Sequence, residues 1–138
     1  MPSGSKLMTT NRFPKQARLL NVRDFDGVFA SRVSAADESL IMHGARNEAG
    51  RPRLGLAVSR RCGNAVNRNR WKRLLREAFR AIQQELPQLD LVCIPRNDAI
   101  PELDQIAAAL RKLARQIEEK LQRAEARKTR ESARRKTS

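Results

Sequence analysis

The residue types that catalyse reactions or bind metals are few in this sequence, and they are not grouped. The single histidine, His43, lies in a segment that alternates as a β-strand does, where a histidine usually has no special role. Asp24 and Asp26 suit helix capping better than catalysis, and no carboxylates show the spacing of an acid–base pair or a metal site. Cys62 and Cys93 lack the CxxC or Cys/His partners of a zinc site, and no Walker loop or GxGxxG segment is present. The sequence therefore predicts no catalytic or metal-binding centre built from its own residues.

Cations, in contrast, are concentrated in the segment from Arg60 to Arg80, where only Glu77 opposes them. A helix face that serves only solubility mixes both signs, because like charges on neighbouring turns repel by about a few tenths of a kcal/mol per pair. Cations at a helix start are also opposed by the helix dipole. Phosphates would remove both penalties, and they are attracted to the free N–H groups at a helix N-terminus. We therefore predict that this segment binds a polyanion through eight cations: Arg60, Arg61, Arg68, Arg70, Lys72, Arg73, Arg76 and Arg80.

The overall charge supports this interpretation. The 138-residue chain carries a formal net charge of +14 and has a sequence pI of about 11.4, and a domain this basic usually binds nucleic acid. The N-terminal segment lacks the continuous apolar core of a secretory signal, and no apolar run approaches the roughly 20 residues of a membrane span. We therefore expect a cytoplasmic protein with reduced thiols and no membrane partner.

Apolar periodicity predicts the elements that position these residues. A short helix is expected from Asp24, with Phe25, Val28 and Phe29 on one face. In the basic segment a helix is expected from about Asn64. Its apolar stripe consists of Trp71, Leu74, Leu75, Ala78, Phe79 and Ile82. The remaining elements are strands over 39–47, 53–60 and 89–96 and a second long helix from 101 to 130.

The order strand, helix, strand over residues 53–96 predicts a βαβ unit with parallel strands, and such crossovers are nearly always right-handed. Ala65 and Val66 are expected to let this crossover pack closely. Residues 1–11 are expected to be disordered. After Leu121 the apolar stripe fades into a basic tail, which is expected to fray, to lose order and to add sequence-independent affinity for RNA.

Phe25 and Phe29 allow two interpretations. Paired phenylalanines on one helix face most often pack into a core. Aromatic faces beside a cationic groove also stack on the bases of single-stranded nucleic acid. The residues alone leave both interpretations open.

Three motifs in order resemble the bacterial ribonuclease P protein family. The central one is RLGLAVSRRCGNAVNRNRWKRLLREAFR, residues 53–80, and the upstream one is FPKQARLLNVRDFDGVF, residues 13–29. The third is DLVCIPR, residues 90–96, with the amphipathic helix that follows. The resemblance covers residues 12–117 as an RNA-binding domain and leaves residues 118–138 as a basic C-terminal tail.

The resemblance implies an α+β fold, a small α/β sandwich with a central mixed sheet of about four strands and helices packed on it. It also implies a left-handed βαβ crossover. The implied function is 5′ maturation of precursor tRNA, with cleavage carried out by a large RNA subunit that holds catalytic Mg²⁺. The protein would bind this RNA and the single-stranded 5′ leader of the substrate, with no further protein partner required.

Site residues follow from the resemblance by position. The surface facing the RNA subunit would consist of Arg60, Arg61, Arg68, Asn69, Arg70, Lys72, Arg73 and Arg76. The leader-binding cleft, between the sheet face and the motif helix, would contain Phe25 and Phe29. His43 stands where the family often has an aromatic residue, so its leader contact would be weaker and pH-dependent. Trp71 replaces a usual aliphatic residue and is expected in the core.

Two alternatives use the same observations. A non-catalytic RNA-binding protein such as a ribosomal component would present the same basic face. A stand-alone nuclease would need a carboxylate cluster, which the sequence does not offer.

Overall fold

The computed structural model describes Arg18, residues 22–96 and residues 99–137, so the segment 1–11, expected to be disordered, lies outside the described residues. The described residues form three α-helices and four strands, with one-turn 3₁₀ helices at Arg60–Cys62 and Gln83–Glu85. The elements are α1 (Val22–Ala30), β1 (Ser34–Ala36), β2 (Leu40–Arg46), β3 (Arg53–Leu56), α2 (Ala65–Ile82), β4 (Leu89–Pro95) and α3 (Leu103–Thr137). Helix α1 begins two residues before Asp24, which therefore lies in its first turn instead of capping it.

The four strands form one mixed sheet in the order β1-β2-β4-β3. Strand β2 is antiparallel to β1 and to β4, whereas β3 and β4 are parallel neighbours joined through α2. This confirms the small α+β fold, the mixed sheet of four strands and the parallel βαβ unit. The left hand of the crossover stays an expectation from the resemblance.

Side chains alternate between the two faces of the sheet, and helices cover both faces, so the molecule has three layers. Leu40 and Met42 of β2 are fully buried in the main core, against α2 and α3. On the opposite sheet face, Val92 of β4 packs with Val28 of α1 in a smaller cluster that includes Phe25. Helix α1 therefore covers one face of the sheet, and α2 and α3 together cover the other. The basic helix and the paired phenylalanines consequently lie in different layers.

A polar network fixes the β3 edge of the sheet. Arg53 donates from Nε and Nη2 to the two carboxylate oxygens of Asp90, at 2.7 and 2.6 Å, and Asn47 Nδ2 donates to Asp90 Oδ1 at 2.8 Å. The bidentate hydrogen bonds to Asp90 raise the pKa of Arg53 above its ordinary value. Both oxygens of the nearly buried Asp90 carboxylate therefore accept hydrogen bonds that hold this edge of the sheet together.

Helix α3 continues through most of the segment expected to be a basic tail. Its last buried residue is Leu121, where the apolar stripe was expected to end. Arg46, at the end of β2, pairs with Glu118 and Glu125 of this helix, and Lys120 donates to the carbonyl of Ser34. The helix is therefore tied to the sheet as far as residue 125 and extends to Thr137.

Candidate RNA interface

The start of α2 is built from three residues of the motif GNAVN. Gly63 has a φ of +112°, a conformation that L side chains rarely adopt, and an added Cβ would lie 2.9 Å from Asn67 Nδ2. Asn64 is the N-cap, and its Oδ1 accepts a 2.9 Å hydrogen bond from the Asn67 N–H. Asn67 Nδ2 in turn donates to the carbonyl of Cys62 at 3.3 Å. The helix start is thus fixed by neutral amides, with no acidic side chain in its first turn.

The rotation of α2 is fixed by its buried stripe. The residues buried against the main core are those predicted from the sequence: Trp71, Leu74, Leu75, Ala78, Phe79 and Ile82. Trp71 is fully buried, which confirms its expected place in the core. Ala65 and Val66 are both exposed, with Val66 76% accessible. The expectation that they allow close packing of the crossover is therefore wrong, because the helix starts at the surface and meets the core only from Trp71 onward.

The outward face of α2 contains a cationic depression. This depression has a volume of about 320 Å³ and is lined by Arg18, Asn69, Lys72, Arg73, Arg76 and Arg80. On the same helix, a carboxylate oxygen of Glu77 lies 3.9 Å from Arg73 Nε. At this spacing, and with the Arg73 side chain 67% and the Glu77 side chain 37% exposed, such a pair neutralises little of the charge. Five cations and one amide around one depression form a surface suited to phosphates.

Two of these lining residues were absent from the site residues carried over from the resemblance. Arg80 belongs to the basic cluster of residues 60–80 but not to the surface that the resemblance implies. Arg18 forms an isolated parallel bridge with Leu54 of β3, which brings it to the side of α2. A pairing between residues 36 apart in the chain leaves no periodic signal, so Arg18 could not be assigned from sequence.

The other predicted cations surround the helix start. Arg60 and Arg61 are exposed on the 3₁₀ turn that precedes α2, held there by the buried side chain of Cys62. Arg70 is exposed, whereas Arg68 is half-buried and its Nε has no hydrogen-bond partner among the described residues. The eight residues predicted for the RNA surface therefore form one continuous stretch of structure, from the 3₁₀ turn along α2.

Aromatic rings are grouped on the opposite face of the sheet. The ring of Phe29 meets the ring of His43 edge to face, with centroids 4.8 Å apart and an interplanar angle of 73°. Phe29 is 39% exposed, and Phe25, half-buried, packs on Val28 and Val92. We call Phe25, Phe29 and His43 the aromatic patch. Partial burial lowers the pKa of His43, so its imidazole is neutral at physiological pH.

The aromatic patch does not face α2. Its residues lie on the sheet face covered by α1, while the packed length of α2 lies on the face formed by Leu40, Met42 and Leu54. The expectation that α2 forms one wall of the leader-binding cleft is therefore wrong, because α2 packs on the other face of the sheet. The side on which a crossover helix packs is decided by tertiary contacts, which the local pattern does not encode.

Metal-binding and membrane-spanning features are not found in the described part of the chain. Within residues 22–96 and 99–137 and Arg18, no group of three or more His, Cys, Asp or Glu side chains could hold a metal ion. Among the described helices, none combines the length and apolar composition needed to cross a membrane.

Comparison of the sequence with known proteins identifies one family. The sequence model of the family described as Ribonuclease P matches residues 13–118. The ribonuclease P protein component of Photorhabdus laumondii is 41% identical over 106 residues, which cover 75% of this chain and 88% of that protein. The corresponding protein of Proteus mirabilis is 40% identical over 106 residues, with the same coverage.

Solved structures give the same result for the fold. The RNase P protein from Thermotoga maritima aligns with a TM-score of 0.62 and 30% identity, covering 69% of this chain and 96% of that one. The Staphylococcus aureus RNase P protein aligns with a TM-score of 0.62 and 29% identity, covering 70% of this chain and 91% of that one.

The fold, the cationic depression and these relatives define a small α/β RNA-binding subunit of a ribonucleoprotein. The chain belongs to the ribonuclease P protein family, and its function is that of the protein subunit of this tRNA-processing enzyme. A ribosomal component is not favoured by any of these relatives.

Proposed function

We propose that this subunit binds the catalytic RNA of ribonuclease P through α2 and the 5′ leader of precursor tRNA through the aromatic patch. The observation that supports the first contact is the cationic depression, in which five cations converge around one concave surface of about 320 Å³. Arginine forks pair with phosphate oxygens in two parallel hydrogen bonds, and α2 adds the N–H groups of its first turn. Arg60, Arg61, Arg68 and Arg70 extend this contact around the helix start.

The helix start explains why the sequence has cations where the helix dipole opposes them. Asn64 supplies the capping hydrogen bond without a negative charge, so the first turn keeps its positive field. An RNA phosphate placed there interacts favourably with that field and with Arg68 and Arg70 together. In this proposal, part of the intrinsic stability of α2 is given up in favour of RNA affinity.

The second contact rests on the aromatic patch. A single-stranded leader is recognised by stacking of unpaired bases on aromatic faces, and within the aromatic patch Phe29 is the ring most accessible to such a base. His43 offers a second ring next to it, with weaker stacking than phenylalanine. Because the patch and α2 lie on opposite sides of the sheet, the two RNAs would bind to different layers of the protein.

The chemistry in this proposal is carried by the RNA subunit. Mg²⁺ would be held by that RNA and by the substrate, since a chain with a net charge of +14 repels free cations and attracts the phosphates that bind them. The protein would contribute positioning and charge neutralisation and would act in the cytoplasm without a further protein partner. Both cysteines are buried, and burial raises the pKa of the Cys93 thiol to about 12, which suits an inert packing role.

Titration of the RNA subunit at several salt concentrations tests the proposed contact. We expect Arg68→Ala to weaken binding and to reduce the slope of log K against log salt by about one, as the loss of one phosphate contact does. The double variant Arg73→Gln/Arg76→Gln removes two cations of the depression and should reduce the slope by about two.

Lys112→Gln/Arg115→Gln is the matched control, because it removes two exposed cations from α3 without touching the depression. Equal slopes for the control and the depression variant would contradict the proposed contact. Cleavage of precursor tRNA by the protein in the absence of RNA would instead support a stand-alone nuclease. Copurification with ribosomal RNA alone would support a ribosomal component.

A further inference from the structure

The part of α3 beyond its last buried residue is a charged helix with one strongly basic side. Leu121 is the last residue in contact with the core, and the helix continues for 16 more residues, or about 24 Å at 1.5 Å per residue. Residues 122–138 contain seven lysines and arginines but only two glutamates. The sequence model of the family ends at residue 118, so this segment, which we call the arm, lies outside the matched region.

Four arginines of the arm lie on one side of the helix. Their spacing of four, three and four residues places them within an arc of roughly 60° at 100° per residue. They are Arg123, Arg127, Arg130 and Arg134, and all four are exposed. Like charges at these spacings repel, which a bound polyanion would offset.

The contacts of Arg46 show which way this stripe faces. Its Nη1 lies 2.6 Å from a carboxylate oxygen of Glu118, and its Nε lies 2.9 Å from one of Glu125. These two carboxylates are seven residues apart on one side of α3, roughly 160° around the helix from the centre of the arginine stripe. Arg46 therefore holds the acidic side of the helix against the sheet and leaves the arginine stripe facing solvent.

We propose that the arginine stripe of the arm is a second docking surface for the phosphate backbone of the ribonuclease P RNA subunit. The inference rests on the proposed function. The arm is continuous with α3, and α3 packs beside α2 on the same side of the sheet. The arm thus extends the layer that carries the cationic depression and lies in a different layer from the aromatic patch. This arrangement favours the RNA subunit over the leader as its occupant.

The test uses the full chain with the stripe neutralised by Arg123→Gln, Arg127→Gln, Arg130→Gln and Arg134→Gln together. Glutamine retains high helix propensity, and the far-ultraviolet circular dichroism should stay unchanged. We expect affinity for the isolated RNA subunit to fall at least tenfold at moderate salt, with a salt slope shallower by about three. Once the holoenzyme is assembled at saturating protein, its affinity for precursor tRNA should stay the same.

A pair of single variants tests the direction of the stripe. Arg127→Gln and Lys128→Gln remove one charge from neighbouring positions about 100° apart, and only Arg127 belongs to the stripe. Arg127→Gln should reduce the salt slope by about one, and Lys128→Gln should leave it close to that of the native chain. Equal effects of the two would overturn the assignment of a docking face.

Parallel titration of Arg73→Gln/Arg76→Gln separates failure of the arm from failure of the proposed function. If the fourfold stripe variant binds the RNA subunit as tightly as the native chain does, while Arg73→Gln/Arg76→Gln binds it more weakly, the arm proposal is overturned and the proposed function stands. Native affinity of both variants would overturn both. A loss confined to precursor tRNA binding by the holoenzyme would overturn the RNA subunit as the occupant.

Discussion

The rings of Phe29 and His43 meet edge to face at a centroid distance of 4.8 Å, across the boundary between α1 and β2. This contact joins a helix residue to a strand residue that are 14 positions apart and places two rings side by side on one sheet face. Phe29 remains 39% exposed in this arrangement. The pair is therefore both a packing contact and an accessible aromatic surface, and variants can separate these roles.

Phe29→Ala should weaken binding of precursor tRNA that carries a leader, while binding of leaderless tRNA stays unchanged. The physical reason is the loss of one base-stacking contact, which contributes about 1–3 kcal/mol, or roughly 5- to 150-fold in affinity. The measurement is holoenzyme affinity for the two substrates at equal salt concentration.

Phe29→Leu is the control for this experiment, because leucine retains apolar volume against the sheet but has no ring to stack. Phe29→Leu should lose as much affinity for leader-bearing substrate as Phe29→Ala does. Its free energy of unfolding should be closer to that of the native chain. Equal losses on leaderless tRNA would contradict the stacking role and indicate packing alone.

Acidification should destabilise the native chain more than a variant without His43. Burial lowers the pKa of His43 below that of the unfolded chain, so the unfolded state takes up the proton first. The stability that depends on neutral His43 is present above about pH 6.5 and is lost as the pH falls below it. Between pH 7.5 and 5.5, urea unfolding should show a larger decrease for the native chain than for His43→Gln. Equal decreases in the free energy of unfolding of the two chains would show that the pKa of His43 is the same in the folded and unfolded states.

Asn64→Asp should change stability and RNA affinity in opposite directions. Aspartate caps as well as asparagine does, and its charge at the N-terminus adds about 0.3–1 kcal/mol through the helix dipole. The same charge would repel phosphates bound beside Arg68 and Arg70. We expect a higher free energy of unfolding together with severalfold weaker binding of the RNA subunit. Tighter RNA binding by this variant would contradict a phosphate at the helix start.

Gly44→Ala should destabilise the fold, whereas Gly27→Ala should stabilise it. A Cβ at Gly44 would lie 2.6 Å from Ile117 Cγ2 and 3.2 Å from Leu91 Cδ2, and such overpacking costs about 1–3 kcal/mol. A Cβ at Gly27 meets nothing within 4 Å, so alanine there adds about 0.5–1 kcal/mol through helix propensity. Urea unfolding of both variants measures the difference, and a stable Gly44→Ala chain would contradict the close approach of α3 to β2.

Local patterns were enough to predict α2 and its orientation. Its cap at Asn64 and its stripe from Trp71 onward depend on residues within a few turns of one another. Strands β2 and β4 were predicted for the same reason, because alternation and continuous apolar runs are local. The cationic side of α2 followed once the buried side was known.

Long-range pairings account for what was missed or wrong. Strand β1 consists of Ser34, Ala35 and Ala36, which show no alternation and form a strand because Ala35 pairs with Met42. Arg18 is brought to the depression by its bridge with Leu54, 36 residues further along the chain. The separation of the aromatic patch from α2 likewise depends on the sheet face that each helix covers, and no local pattern encodes that choice.

Reconstitution with the cognate RNA subunit tests the central claim most directly. Cleavage of a leader-bearing precursor tRNA would be measured at low Mg²⁺ with RNA alone, with the native chain, and with Arg73→Gln/Arg76→Gln. We expect the native chain to accelerate cleavage, and we expect Arg73→Gln/Arg76→Gln to need a higher protein concentration or a lower salt concentration for the same acceleration. Protein without RNA should be inactive. A cleavage rate that is unaffected by the native chain would contradict the account.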